Sequence, residues 1–126
     1  MSKSMPFLNS HAYALMRIVV GFLFMWQGSQ KLFSFPTPMP TGVPAFIIYI
    51  AGPIELVGGT LVLIGLFTRW AAFFCSGQMA VAYWMAHGMK ALLPIQNGGE
   101  LAIIYCFVFL FIATQGGGVW SVDAAL

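Results

Sequence analysis

Charge is what this chain most lacks. Five basic and three acidic residues stand among 126, 6% in all, against 60% hydrophobic residues and a mean hydropathy of +0.91. A soluble domain of this size needs far more polar surface. The net charge of +2 is too small to point to nucleic acid or to an acidic protein partner. Cysteine is almost absent: Cys75 and Cys106 lie in apolar runs, where a free thiol behaves as a small hydrophobe, and no disulfide scaffold or CxxC pair exists. There are two histidines, His11 and His87. Four-span topology puts them on opposite sides of a membrane, which excludes a bis-histidine haem. No metal-ligand spacing, nucleotide loop or nucleophile–base–acid set is present, so neither a metal nor a covalently bound cofactor is expected.

What is present is apolar sequence in four runs. The chain reads as an all-α integral membrane bundle of four transmembrane helices, about 11–33, 44–67, 70–88 and 99–114, in a single domain over 1–126. Ser10 is the expected N-cap of the first helix, and the segment from Phe35 to Pro44, with Pro36, Pro38, Pro40 and Gly42, ends it. Thr68-Arg69 reads as a tight turn joining the second and third helices, and Gly116-Gly117-Gly118 as C-cap material for the fourth. Arg17 interrupts the first run where a signal peptide would be continuous, so that helix is expected to be retained. Lys3, Arg69 and Arg17 against Lys31 and Lys90 favour both termini inside.

One carboxylate falls inside the second run, AGPIELVGGTLVLIGL. Ionised carboxylates deep in hydrocarbon cost on the order of 3 kcal/mol, so Glu55 must turn inward and find partners. Ala51, Gly58 and Gly59 lie three or four residues from it, which marks its face as a helix contact surface. Pro53 has no N–H for the carbonyl of Tyr49 and should disturb the helix there. Two readings of Arg17 stand: its stem snorkels to the interface, or it turns inward to pair with Glu55. Gln78, an amide in mid-helix, needs a partner on another helix, and Glu55 is the candidate. Arg17, Glu55 and Gln78 are therefore the candidate intramembrane polar or proton site. Gln27, Lys31, His87 and Glu100 converge toward the opposite side as a candidate outer vestibule. For Glu100 a structural role competes, because Asn97 and Glu100 have capping-box spacing.

Taken together, Arg17-Ile-Val-Val-Gly21, Gln27-Gly-Ser-Gln-Lys31-Leu32, Gly52-Pro-Ile-Glu55 with Gly58-Gly59, Gly65-Leu-Phe-Thr-Arg69, Asn97-Gly-Gly-Glu100-Leu101 and Trp120-Ser-Val-Asp123 resemble the DoxX family of small bacterial membrane proteins. The resemblance covers nearly the whole chain. It implies a four-helix protein of the bacterial inner membrane, related to the DoxD-type subunit of a thiosulfate:quinone oxidoreductase, which makes Arg17, Glu55 and Gln78 a candidate quinone site under the first of two functions. The chain itself carries no self-contained catalytic motif. Two functions follow: a membrane subunit or accessory of a quinone-linked sulfur or thiol oxidoreductase, or a non-catalytic assembly subunit of a larger membrane complex. Partners are the lipid bilayer and proteins of such a complex.

Overall fold

The computed structural model describes residues 5–88 and 90–126, and among these every regular element is helical. α1 runs Pro6–Phe33; a π-helical turn, Ile47–Ala51, leads into α2, Gly52–Ile64; α3 is Thr68–Ala82 and continues as a second π-helical stretch, Tyr83–Gly88. A short α4, Pro94–Asn97, precedes α5, Glu100–Gln115, and α6 is Val122–Ala125. Two segments, Pro6–Phe33 and Ile47–Ile64, are long and apolar enough to cross a membrane. α5 is apolar but has 16 residues, about 24 Å of helix.

Several boundaries differ from the sequence expectation, each for a local reason. α1 starts at Pro6, whose fixed φ and missing N–H suit the first helical position. Ser10 is thus inside the helix and its hydroxyl donates back to the Pro6 carbonyl at 2.8 Å. The turn after α2 is Gly65–Phe67, with Gly65 at φ +73° and Phe67 at φ +49°, so Thr68 and Arg69 already belong to α3. Asn97 does not cap α5, because Gly98 and Gly99 intervene: its Oδ1 accepts from the Gly99 N–H at 2.8 Å, and Glu100 is the exposed first residue of the helix. The disturbance expected from Pro53 takes the form of the wider π-helical turn just before it. Lys3, used in the orientation count, lies outside the described residues.

In lipid, helix association gains little from the hydrophobic effect and depends on close packing. α1 and α2 provide it with four glycines, two on each helix, seven residues apart. A Cβ on Gly21 would lie 2.5 Å from the Leu63 nitrogen and one on Gly59 2.6 Å from the Met25 nitrogen. Gly28 is closed in by the backbone of Leu56 and Gly52. The helices therefore touch backbone to backbone in an antiparallel register that sets Gly21 against Gly59 and Leu63, and Gly28 against Gly52 and Leu56. Gly58 faces the other way: its Cβ would meet the sulfur of Cys75 on α3. α3 and α5 pack together, with the Ser76 hydroxyl donating to the Cys106 carbonyl at 2.7 Å. Phe24 of α1 closes the bundle against Tyr105 and Phe109 of α5, with ring centroids 5.1 and 4.7 Å away.

The bundle buries two charged side chains within a mainly apolar core and exposes large apolar side chains on its outer face. Arg17 and Glu55 are among its most buried large side chains, whereas Phe7, Leu15, Trp70, Phe73 and Phe107 are exposed. An apolar outer face with the charges turned inward is what a hydrocarbon solvent favours.

Candidate functional site

The register of α1 on α2 decides which charges meet. Lys31 lies three residues beyond Gly28 and so comes level with the start of α2, where Glu55 is 1% exposed. The Lys31 ammonium donates to Glu55 Oε1 at 2.7 Å. From α3, Gln78 Nε2 donates to the other oxygen, Oε2, at 2.9 Å. The carboxylate is thus held by one group from each neighbouring helix, which offsets the cost of its burial.

Arg17 is elsewhere, which corrects the expected pairing with Glu55 and also the snorkelling alternative. It lies one turn before Gly21, at the far end of α2, and is fully buried. Nη1 donates to the carbonyls of Val62 and Leu63 at 2.8 and 3.0 Å, the free acceptors at the end of a helix. Nη2 donates to the Trp120 carbonyl at 2.7 Å and reaches that of Val119 at 3.4 Å. Arg17 therefore ties the α2 terminus to the segment after α5. Fourteen residues, about 21 Å of helix, separate it from Lys31.

The Glu55 cluster forms part of the wall of a cavity of about 540 Å³. Gln27, Lys31 and His87, expected as an outer vestibule, line this same cavity with Glu55 and Gln78, so these members of the two predicted sites share one space, without Arg17. Glu100 does not join them: it is exposed at the start of α5 and is not part of the lining. Tyr105, which no motif singled out, faces the cavity from α5. Both π-helical stretches contribute, through Ile47, Ile50 and Ala51 on one and Met85, Ala86 and His87 on the other. The remaining lining is apolar, and Phe46, Ile50, Val81, Met85 and Leu101 are also exposed on the outer face of the bundle. Among the described residues no three His, Cys, Asp or Glu side chains gather as a metal site would require.

The DoxX family model matches residues 12–88, more than half of the chain. The chain belongs to the DoxX family. The matched stretch holds Gln27, Lys31, Glu55, Gln78 and His87, the polar cavity wall contributed by α1 to α3. Among other relatives, this DoxX protein is 41% identical over 116 residues to an uncharacterized protein of Haemophilus influenzae, covering 87% of each chain. It is 36% identical over 113 residues to "Putative oxidoreductase CatD" of Bacillus subtilis, covering 86% of this chain and 82% of that one. It is 28% identical over 123 residues to "Inner membrane protein YqjF" of Escherichia coli, covering 87% and 88%. No solved structure matches it significantly.

Outside the matched stretch of this DoxX protein lies a residue whose role the sequence did not disclose. Asp123 accepts from the N–H groups of Phe67 and Thr68 at 2.9 and 3.0 Å and from the Thr68 hydroxyl at 2.7 Å. It caps α3 from 55 residues away, and its own N–H donates to the Gly65 carbonyl at 2.8 Å. Desolvation pushes its carboxyl up, but the bonds from Thr68 and Phe67 and the nearby Arg17 charge outweigh this and hold it below the ordinary value of 3.8. Its contribution to stability is present above that value and is lost as pH falls through the lower folded value. Asp123→Ala is expected to cost about 1 kcal/mol at pH 7, as loss of a cap does. Acid titration of thermal unfolding checks it: the difference between wild type and variant should shrink below about pH 4.

Proposed function

We propose that this protein is a four-span inner-membrane component of a quinone-linked oxidoreductase, and that the α1–α2–α3 cavity binds the quinone head group. The observation that carries the reading is the Lys31–Glu55–Gln78 cluster, set in the wall of a largely apolar cavity whose rim is formed by exposed large apolar side chains. A lipid-soluble ring enters such a space from the bilayer, and a few fixed polar groups orient it. Lys31 has three donor positions and gives one to Glu55, so its ammonium can also donate to a ring oxygen. Glu55, held beside it, is placed to exchange the proton that accompanies reduction or oxidation. The name of the Bacillus relative supports the redox class, and that of the Escherichia relative the compartment. Four spans are supported by the antiparallel order of α1, α2, α3 and α5 and by their apolar outer faces.

The test is chemical. The protein is purified in native-lipid discs, extracted, and assayed for quinone by mass spectrometry beside Lys31→Met and Lys31→Met/Glu55→Gln. Lys31→Met alone strands a buried carboxylate, and the double variant supplies the folded reference. Wild type is expected to hold about one quinone per chain and both variants about tenfold less, the equivalent of one lost hydrogen bond to a charged donor. Wild type free of quinone and carrying a stoichiometric protein partner would instead favour the assembly-subunit function.

A further inference from the structure

Lys31 donates to a ring oxygen whether that oxygen is a carbonyl or a hydroxyl, so the Lys31 ammonium by itself does not distinguish oxidised from reduced ligand. Another part of the lining does. His87 lies in the π-helical stretch Tyr83–Gly88 and lines the same cavity. Its Nδ1 is 3.2 Å from the backbone carbonyl oxygen of Asn97. A carbonyl oxygen only accepts, so Nδ1 carries the hydrogen, and in the neutral imidazole Nε2 is left with a lone pair. Asn97 is not free to change this. Its side chain is buried, accepts from the Gly99 N–H at 2.8 Å, and donates to the Tyr83 hydroxyl at 3.0 Å and to the Ala91 carbonyl at 3.2 Å. Nε2 has no partner among the described residues, and the residue that carries it lines the cavity.

We propose that the cavity selects by hydrogen-bond polarity, Lys31 giving and His87 Nε2 accepting, and so takes a reduced, hydroxyl-bearing aromatic ring in preference to its oxidised dicarbonyl form. This rests on the quinone-site reading above. A dicarbonyl ring carries acceptors only, so one of its oxygens would set lone pair against lone pair at Nε2. A hydroxyl in the same place donates. The two forms thus differ by one hydrogen bond made or lost, about tenfold in affinity. Tighter binding of the reduced form by that factor raises the midpoint potential of the bound two-electron couple by about 30 mV.

Anaerobic titration at pH 8 of decylubiquinone and of its chemically reduced quinol into protein in lipid discs, with empty discs as the partition reference, tests this. Wild type should bind the quinol about tenfold more tightly than the quinone. His87→Phe should bring the two within about twofold, by weakening the quinol and by relieving the lone-pair clash with the quinone, because the acceptor is lost. Should His87→Phe not fold, His87→Gln serves, since its amide can present either a donor or an acceptor and should lose the preference likewise. Equal affinities in wild type, or a full preference surviving in the His87 variant, would overturn the selectivity while leaving the quinone site standing. Saturable binding of neither form would overturn both.

Discussion

Gly28→Val destabilises the fold by about 3 kcal/mol or more, whereas Gly77→Ala, a substitution in the same class of mid-helix glycine, raises the unfolding temperature. The first outcome follows from what surrounds Gly28. Its missing Cβ would meet the backbone of Leu56 and Gly52, and backbone atoms cannot rotate aside as a side chain does. To admit even one methyl, α1 and α2 must separate along their whole contact, forfeiting the packing at Gly21 and Gly59 as well. Overpacking a rigid core costs about 1–3 kcal/mol, and the upper end or beyond applies here because the obstacle is main chain on both sides. Gly77 has nothing within 4 Å of where its Cβ would be. Alanine there meets no obstacle and gains about 0.5–1 kcal/mol from the lower backbone entropy of the unfolded chain. Size-exclusion profile and thermal unfolding in detergent separate the two. A monodisperse, thermally stable Gly28→Val protein would show that the α1–α2 contact is not the close one described.

Arg17→Met is expected to destabilise the fold by on the order of 3–5 kcal/mol and to expose the segment after α5 to protease. Hydrogen bonds to charged groups contribute about 1.5–3 kcal/mol each, and the carbonyls of Val62, Leu63 and Trp120 would be left without this donor. These terms do not add, since the same segment is also held by Tyr13, whose hydroxyl donates to the Gly116 carbonyl, and by Asp123 on α3. Arg17→Lys keeps the charge but has one nitrogen in place of a fork, and cannot serve α2 and Trp120 together. It should recover only part of the loss. Limited proteolysis reads the local effect: cleavage within 116–121 should appear in Arg17→Met before global unfolding does. Identical cleavage in wild type and variant would mean that Arg17 does not hold this segment.

Much of the architecture was legible in the sequence because it depends on spacing within one helix. A disturbance of the helix at Pro53, the glycine end of α5 and the inward turn of Glu55 follow from local rules of that kind. Gln78 as a partner for Glu55 was legible too, because an amide in lipid has so few alternatives. Boundaries were less so where two rules competed: Pro6 prevailed over Ser10, and the Gly98-Gly99 pair removed Asn97 from the end of α5. Asp123 as a cap for α3 could not be read at all, since no local pattern joins residues 55 positions apart.

The sequence by itself determined the solvent this protein folds in, the order of its helices and its family, because composition and periodicity are properties of the chain taken alone. Only the tertiary structure decided which cation meets Glu55. Arg17 and Lys31 both lie on α1, and the choice between them depends on how far α1 slides along α2. That slide is set where Gly21, Gly28, Gly52 and Gly59 bring two backbones into contact, and the register exists only once both helices are there.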